Sequence, residues 1–429
     1  MNVLLKTLTI TISQNQKVNL NMIQEECNNP GIFSYLFLFI ISCILLCNYS
    51  NAETLSSHNP QKSLLVEKIR LAMDLSYQMN IERSESVFDE AISEWPDDPE
   101  PYLFKGGLYL NMFQNLNNKT EEEVYKLKDQ ILYLNNKAIE ISRKRTKESL
   151  GYESAQYCIG GATGNIGRFY ILNGQMWKAF WKGKKGYKMM KKIVDKDQEY
   201  HDAYLGLGIY NYFSAIMPKF VKALSFLLGG TTGDKDNGIR QLELVRDNSS
   251  LLSVEARKIL LRTYRGEEDW DAFYLNSKWL AEHYPENVYF QVPYVYGLTQ
   301  NKQYSDAHNH LNKVNTMLQN DPSQLAINMR VKYFRYLGLL NYKLGNYSIS
   351  KQSYMKALDL SRGVFPPTRI WGEDYYYLAS SNARLEKEDD AFKYLRKAID
   401  KGWQIDNMDK LPEWRPYNHN REFLLIIGK

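Results

Sequence analysis

Cysteine is scarce in this chain, and most of it sits in one place. Of four cysteines, Cys27, Cys43 and Cys47 lie in or before one N-terminal apolar segment, which leaves Cys158 alone in the remaining sequence. One thiol closes no internal disulfide and builds no cysteine zinc site, so Cys158 reads as a small buried hydrophobe. Proline is sparse as well, 13 in 429 residues, and clusters between apolar periods, so helices are rarely interrupted. Sustained alternation of apolar and polar residues is missing after residue 60, which removes the signature of half-buried strands. Charge of one sign is also in short supply. A formal +5 over 429 residues is a weak basic bias, and a nucleic-acid binder concentrates far more charge on one face.

Local catalytic signatures are absent too. There is no G-x-S-x-G and no H-E-x-x-H, and no nucleophile has a base beside it in sequence. His308 and His310 are two apart, so on a helix they point about 200° away from each other and cannot share a metal. His201 and His283 stand alone. The expectation is therefore a chain without catalytic residues, metal ligands or cofactor, and not an enzyme.

What the chain has in quantity is tyrosine, 32 residues, many beside Leu, Ala and Gly at helical spacing. Beyond residue 60, apolar residues return every three or four positions over long stretches, with short polar breaks between them. Helices without strands imply a bundle or a solenoid, and internal periodicity decides between the two. Small and bulky residues recur in phase. Leu71-Ala72, Phe88, Ala91 and Pro96 form one unit, and Gly106 and Tyr109 reopen the pattern about 34 residues later, with Ala138 closing its second helix. Leu260, Tyr264 and Pro285 form another, closed in the next by Ala307, Leu311 and Val314; Leu337-Gly338, Tyr354 and Ala357 follow, then Leu378-Ala379, Ala391, Leu395 and Ala398. Small residues let neighbouring helices approach and bulky ones fill the gaps between them. The fold class read from this is all-α: a right-handed α-solenoid of the tetratricopeptide-repeat (TPR) type, with about eight helix pairs.

Residues 32–47, I-F-S-Y-L-F-L-F-I-I-S-C-I-L-L-C, carry no charge and fall slightly short of the roughly 20 residues that span hydrocarbon. Ser50 and Ala52 then occupy the small-residue positions of a signal-peptidase site, so a secretory signal cleaved after Ala52 is the first expectation. Glu25 and Glu26 in place of lysines leave an uncleaved membrane anchor at 32–47 as the alternative, with translation starting at Met1 or Met22. The chain thus divides into an extension and signal (1–52), N-terminal TPR-like pairs (60–148), a glycine-rich centre (149–250), C-terminal TPR units (251–402) and a capping tail (403–429). In the centre, helix pairs are predicted at 152–172 with 175–194 and at 199–215 with 235–247, the last capped by Asp234.

The central stretches Y-C-I-G-G-A-T-G (157–164), H-D-A-Y-L-G-L-G-I-Y-N-Y-F (201–213), M-P-K-F (217–220) and L-L-G-G-T-T-G-D-K-D-N-G-I-R-Q-L (227–242) resemble a family of bacterial exported TPR proteins. They are more distantly similar to the eukaryotic tetratricopeptide-thirty-nine and inclusion-body-clearance proteins, which share an F-L-G-F-G-D-R-x-x-G-L-x-x-L stretch. The tail, with Leu411, Trp414, Arg415 and Phe423, is similar to the ending of bacterial repeat proteins. The resemblance implies a non-enzymatic interaction role and supplies no catalytic residue.

Two glycine-rich motifs invite other readings. Gly161-Ala162-Thr163-Gly164-Asn165-Ile166-Gly167 spells a dinucleotide loop, a second alternative in which the chain is an enzyme with a nucleotide site. That chemistry needs the glycines directly after a strand, whereas here Ala155 and Ile159 mark a helix, and Gly160, Gly161, Gly164 and Gly167 make a smooth stripe for close packing. In Gly229 to Lys235 (G-G-T-T-G-D-K), Asp234 stands where a phosphate loop needs lysine, so a turn and helix cap is expected.

Projecting the repeat phase onto the first helix of each C-terminal unit selects a candidate concave face: Lys258, Arg262, Arg265, Tyr289, Tyr296, Lys332, Arg335, Tyr342, Lys343, Tyr376 and Arg384. Cationic forks and ammonium groups suit carboxylates of a peptide or anionic sugars, and tyrosine offers contact area with a polar tip. The expected function is an exported scaffold, in the periplasm or cell envelope, that binds a protein or peptide in its groove. The partner is expected to be anionic, with no nucleic acid, and with membrane contact only if residues 32–47 are retained.

Overall fold

The structure, a computed structural model, describes residues 60–114, 121–149, 151–217, 233–320, 324–362, 372–403 and 407–428. The signal or anchor segment at 32–47 and the first part of the G-G-T-T-G motif lie outside them. Among the described residues the chain is all-α, without strands, and its helices follow one another as eight consecutive pairs. Pair one is α1 (Pro60–Tyr77) and α2 (Ile81–Glu94); pair two is α3 (Glu100–Gln114) and α4 (Glu121–Arg143). Next come α5 (Tyr152–Leu172) with α6 (Met176–Lys196), and α7 (Ala203–Ala215) with α8 (Lys235–Asn248). The C-terminal pairs are α9 (Ser253–Gly266) with α10 (Trp270–His283), α11 (Val288–Gln300) with α12 (Tyr304–Asn320), α13 (Gln324–Lys343) with α14 (Tyr347–Arg362), and α15 (Gly372–Arg384) with α16 (Glu388–Asp400). A short α17 (Arg421–Ile426) ends the chain.

Each helix packs on the next along the chain, as expected when no single pair can bury its own apolar face. Helices two apart that pack substantially are all odd-numbered: α1 with α3, α3 with α5, α5 with α7, α7 with α9, α11 with α13, and α13 with α15. The first helices of the pairs therefore form the inner layer and the second helices the outer one. The coil is wound tightly enough for its first unit to meet the fifth and sixth across the groove. Tyr77, at the end of α1, donates to Glu255 of α9 at 3.1 Å, Asp74 accepts from the Tyr284 hydroxyl at 2.9 Å, and Asn287 donates to the Tyr77 carbonyl at 2.7 Å. The largest buried apolar cluster accordingly runs from Leu65 to Leu378.

The glycine-rich centre is a packing device. Helix α5 runs unbroken through the G-A-T-G stretch, with no strand before it, so the dinucleotide-loop reading is overturned: its amides are spent on the helix itself. A methyl at Gly167 would stand 3.2 Å from Cβ of Lys182 and 3.5 Å from the Gly183 nitrogen on α6, so small residues let these two helices lie close. The approach of α7 to α8 is tighter. A methyl at Gly238 would lie 2.5 Å from the Tyr212 nitrogen and 2.8 Å from the Gly208 carbonyl oxygen, backbone atoms that cannot step aside. Asp234 caps α8 by accepting the Asn237 amide at 2.9 Å, leaving no phosphate loop in G-D-K. Cys158 is buried in α5, and burial first of all pushes its thiol up, out of the reactive range.

At the other end the tail folds back on α15 and α16. Trp414 is completely buried, stacked on Phe423 at 5.5 Å, in a cluster with Ala391, Phe392, Leu395 and Ala398. An exposed apolar end would otherwise terminate the array.

Candidate functional site

The inner layer brings several charged residues of the C-terminal units together. Every third or fourth position of an inner helix faces the groove, so Lys258, Arg262 and Arg265 project from α9 and Lys332 and Arg335 from α13. The groove also holds carboxylates. Arg335 pairs with Asp374 at 2.7 Å, Arg265 with Glu373, and Lys258 with Glu255 at 2.6 Å. Glu373 and Asp374 occupy the first turn of α15, where the helix dipole favours acids. The Arg265 guanidinium lies over the Tyr296 ring at 4.7 Å, and Tyr296 packs on Tyr336 at 4.9 Å. The Arg265–Glu373 and Arg335–Asp374 pairs, with Tyr296 and Tyr336, line a cavity of about 20 Å³ together with Leu339 and Tyr354. It has room for a water and nothing larger.

Around this paired centre the charges differ in kind. Burial pushes Glu255 up, but Lys258, Arg168 and the Tyr77 hydroxyl outweigh it and hold the carboxylate low. Lys332 has no such help. Burial, then the charges of Arg262, Arg335 and Arg265, press its ammonium down to about 8. No carboxylate among the described residues pairs with Lys332, whose side chain is half-buried and feels the charges of Arg262, Arg335 and Arg265. Arg262 beside it is exposed.

The remaining candidates fall elsewhere. Tyr376 is buried and donates to Glu413 of the tail at 3.0 Å, and Arg384 reaches the same carboxylate at 3.4 Å. Burial, then Glu413, raises the phenols of Tyr342 and Tyr376, and Tyr342 packs edge-on to Tyr377 at 5.1 Å. Tyr289 is half-buried between two parts of the core, Tyr296 is buried, and Lys343 is exposed at the end of α13. The phase projection thus gathers Lys258, Arg262, Arg265, Lys332, Arg335 and Tyr296 in one place, and puts Tyr342, Tyr376 and Arg384 in a second that the tail closes.

No family model matches the chain, and no curated protein does. Solved structures that resemble it include NprR in complex with its cognate peptide NprX, at 14% identity and a TM-score of 0.33, covering 85% of this chain and 82% of that one. A human IFIT1 dimer with PPP-AAAA follows at 11% identity and 0.26, over 76% of this chain and 70% of the other. The Cut9–Hcn1 hetero-tetramer of the APC/C stands at 11% and 0.25, over 84% and 85%. Likeness at this level assigns no function.

The phase projection missed the acids. Asp374 comes from the unit after Arg335, Glu373 from three units after Arg265, Glu413 from the tail, and Tyr77 from 178 positions before Glu255. The only local signal was the acidic pair at the start of α15, which reads equally well as an ordinary helix N-terminus.

Proposed function

We propose that this chain is a non-enzymatic TPR-type scaffold that takes an acidic segment of a protein or peptide into its inner groove, with Lys332 and Arg262 as the anion contact. The observation that carries the reading is the difference between Lys332 and its neighbours. Lys258, Arg265 and Arg335 each hold a carboxylate of the chain itself, whereas Lys332 stands half-buried among cations with none among the described residues. A charge held out of water without a counter-ion is costly, and an incoming carboxylate relieves that cost.

The test is capture of a pool of acidic peptides, carrying free or amidated C-termini, by the wild-type chain and by Lys332→Glu with Arg262→Glu. Neither substitution removes a member of the Arg335–Asp374 pair, and circular dichroism of the variant checks that the helices are kept. Capture by the wild type and at least about a hundredfold loss in the variant is expected, as for charge reversal at a desolvated contact. Equal capture by both proteins would remove the groove from consideration, and capture of acidic oligosaccharides instead would change the ligand class.

Export belongs to the same proposal. The uncharged run at 32–47 followed by Ser50 and Ala52 supports release after a signal peptidase cut. N-terminal sequencing of exported protein should begin at Glu53; an intact N-terminus on membranes would favour the anchored alternative.

A further inference from the structure

Helix α6, on the outer layer, carries a second concentration of charge that the groove does not use. Its 21 residues contain eight lysines and one acid, Asp195. Ala179, Gly183, Gly186, Met190 and Ile193 face the core, which turns most of the lysines outward. Lys191 is held by Asp195 at 2.7 Å and Lys196 by Glu153. Lys185, Lys188 and Lys192 have no carboxylate partner among the described residues. At the N-terminal end of the same face two indoles stand in solvent, Trp177 at 56% exposure and Trp181 at 42%, packed edge-on to each other at 5.6 Å. A shallow open trough of about 410 Å³ runs from Trp181 along Lys184, Lys185, Lys188, Met189 and Lys192.

Large exposed aromatics cost hydration free energy, and a run of like charges repels itself, so a shared partner must relieve both. We propose that the outer face of α6 docks the protein on an anionic membrane surface, with Trp177 and Trp181 entering the headgroup layer and Lys185, Lys188 and Lys192 meeting lipid phosphates. Indoles sit naturally at the water–hydrocarbon boundary, and clustered lysines next to them follow the pattern of interfacial helices. The face belongs to a single outer-layer helix, which presents the indoles and lysines side by side to one surface. All its cations are lysine, point charges suited to mobile headgroups, whereas a nucleic-acid surface draws on the bidentate geometry of arginine. Among the described residues no helix is long and apolar enough to cross a membrane.

The probes are vesicles of phosphatidylglycerol with phosphatidylcholine, neutral phosphatidylcholine vesicles, and a single-stranded oligonucleotide. The full chain should bind the anionic vesicles at least about tenfold more tightly than the neutral ones, and less tightly as salt rises. Changing Lys185, Lys188 and Lys192 together to Glu should weaken that binding by about a hundredfold or more. Brominated acyl chains should quench tryptophan emission on binding, and Trp177→Phe with Trp181→Phe should remove most of the quenching. Residues 1–59 contain no tryptophan, so insertion of the 32–47 segment alone cannot supply that signal. Circular dichroism of each variant checks that these exposed changes leave the helices intact, and a Gln set at the three lysines, with the weakening expected to be smaller, replaces the Glu set if it does not. Equal binding to neutral vesicles with no lysine dependence, or lysine-dependent binding of the oligonucleotide with none to vesicles, would overturn the proposal.

Discussion

Replacing Lys332 with methionine should make the ligand-free protein more stable at pH 7, by roughly 2–3 kcal/mol, while removing the proposed contact for an acidic peptide. The folded-state value of about 8 lies below the ordinary 10.5 of lysine because burial and three guanidinium groups penalise the ammonium. At pH 7 the side chain is charged in both folded and unfolded chains, and the native state bears the full penalty. Between about pH 8 and 10.5 the native lysine has lost its proton while the unfolded one keeps it. The unfolded state then binds more protons, and stability contributed by this group rises with pH across that window. Methionine has no proton to lose, so the rise should vanish from the variant. Denaturant midpoints for both proteins at pH 7 and pH 9.5 measure the difference. A variant less stable than the wild type at pH 7 would show that Lys332 has a counter-ion within the chain. Peptide affinity of the wild type should fall in the same window, since an uncharged amine offers nothing to a carboxylate beyond one hydrogen bond.

Trp414→Ala should cost about 3–5 kcal/mol, and the cost should be local. The indole is fully buried between the tail and α16, stacked on Phe423, with Phe392 and Leu395 in the same cluster. An alanine leaves a cavity that stacked rings cannot collapse into. Repeat arrays are held by nearest-neighbour contacts, so the damage should stay near the end where it is made. Hydrogen exchange should quicken throughout α15 and α16, which also lose the anchoring of Tyr376 and Arg384 by Glu413. Protection in α3 to α6 should stay as it was. Uniform acceleration along the chain would mean that the array unfolds as one unit, and unchanged exchange in α16 would mean that the tail is no cap.

Much of the architecture is legible residue by residue. Helix α5 occupies the predicted 152–172, α6 ends two residues past the predicted 194, and Asp234 caps α8. These are local matters, set by a 3.6-residue period and by side chains that reach only their own turn. The G-A-T-G stripe belongs with them, because its neighbours Ala155 and Ile159 already mark it as helix. The same period puts Lys258, Arg262 and Arg265 on one side of α9, but it gives no sign that the tail closes over Tyr376 and Arg384.

What those cations meet is another matter. Nothing in the phase of α9 or α13 indicates that Arg265 and Arg335 are answered by Glu373 and Asp374. Nor does it show that Glu255 takes a hydrogen bond from Tyr77 at the far end of the first unit. Such partners are chosen by how far the coil advances per pair. That advance is the sum of many small rotations where side chains such as Gly208 and Gly238 let two backbones touch. By itself, then, the sequence determined that helices form, where they stop and which sides they bury. The winding of the array alone decided which charges are neutralised and left Lys332 standing without a partner among the described residues, since contact across a groove depends on distance in space and a repeat pattern records only distance along the chain.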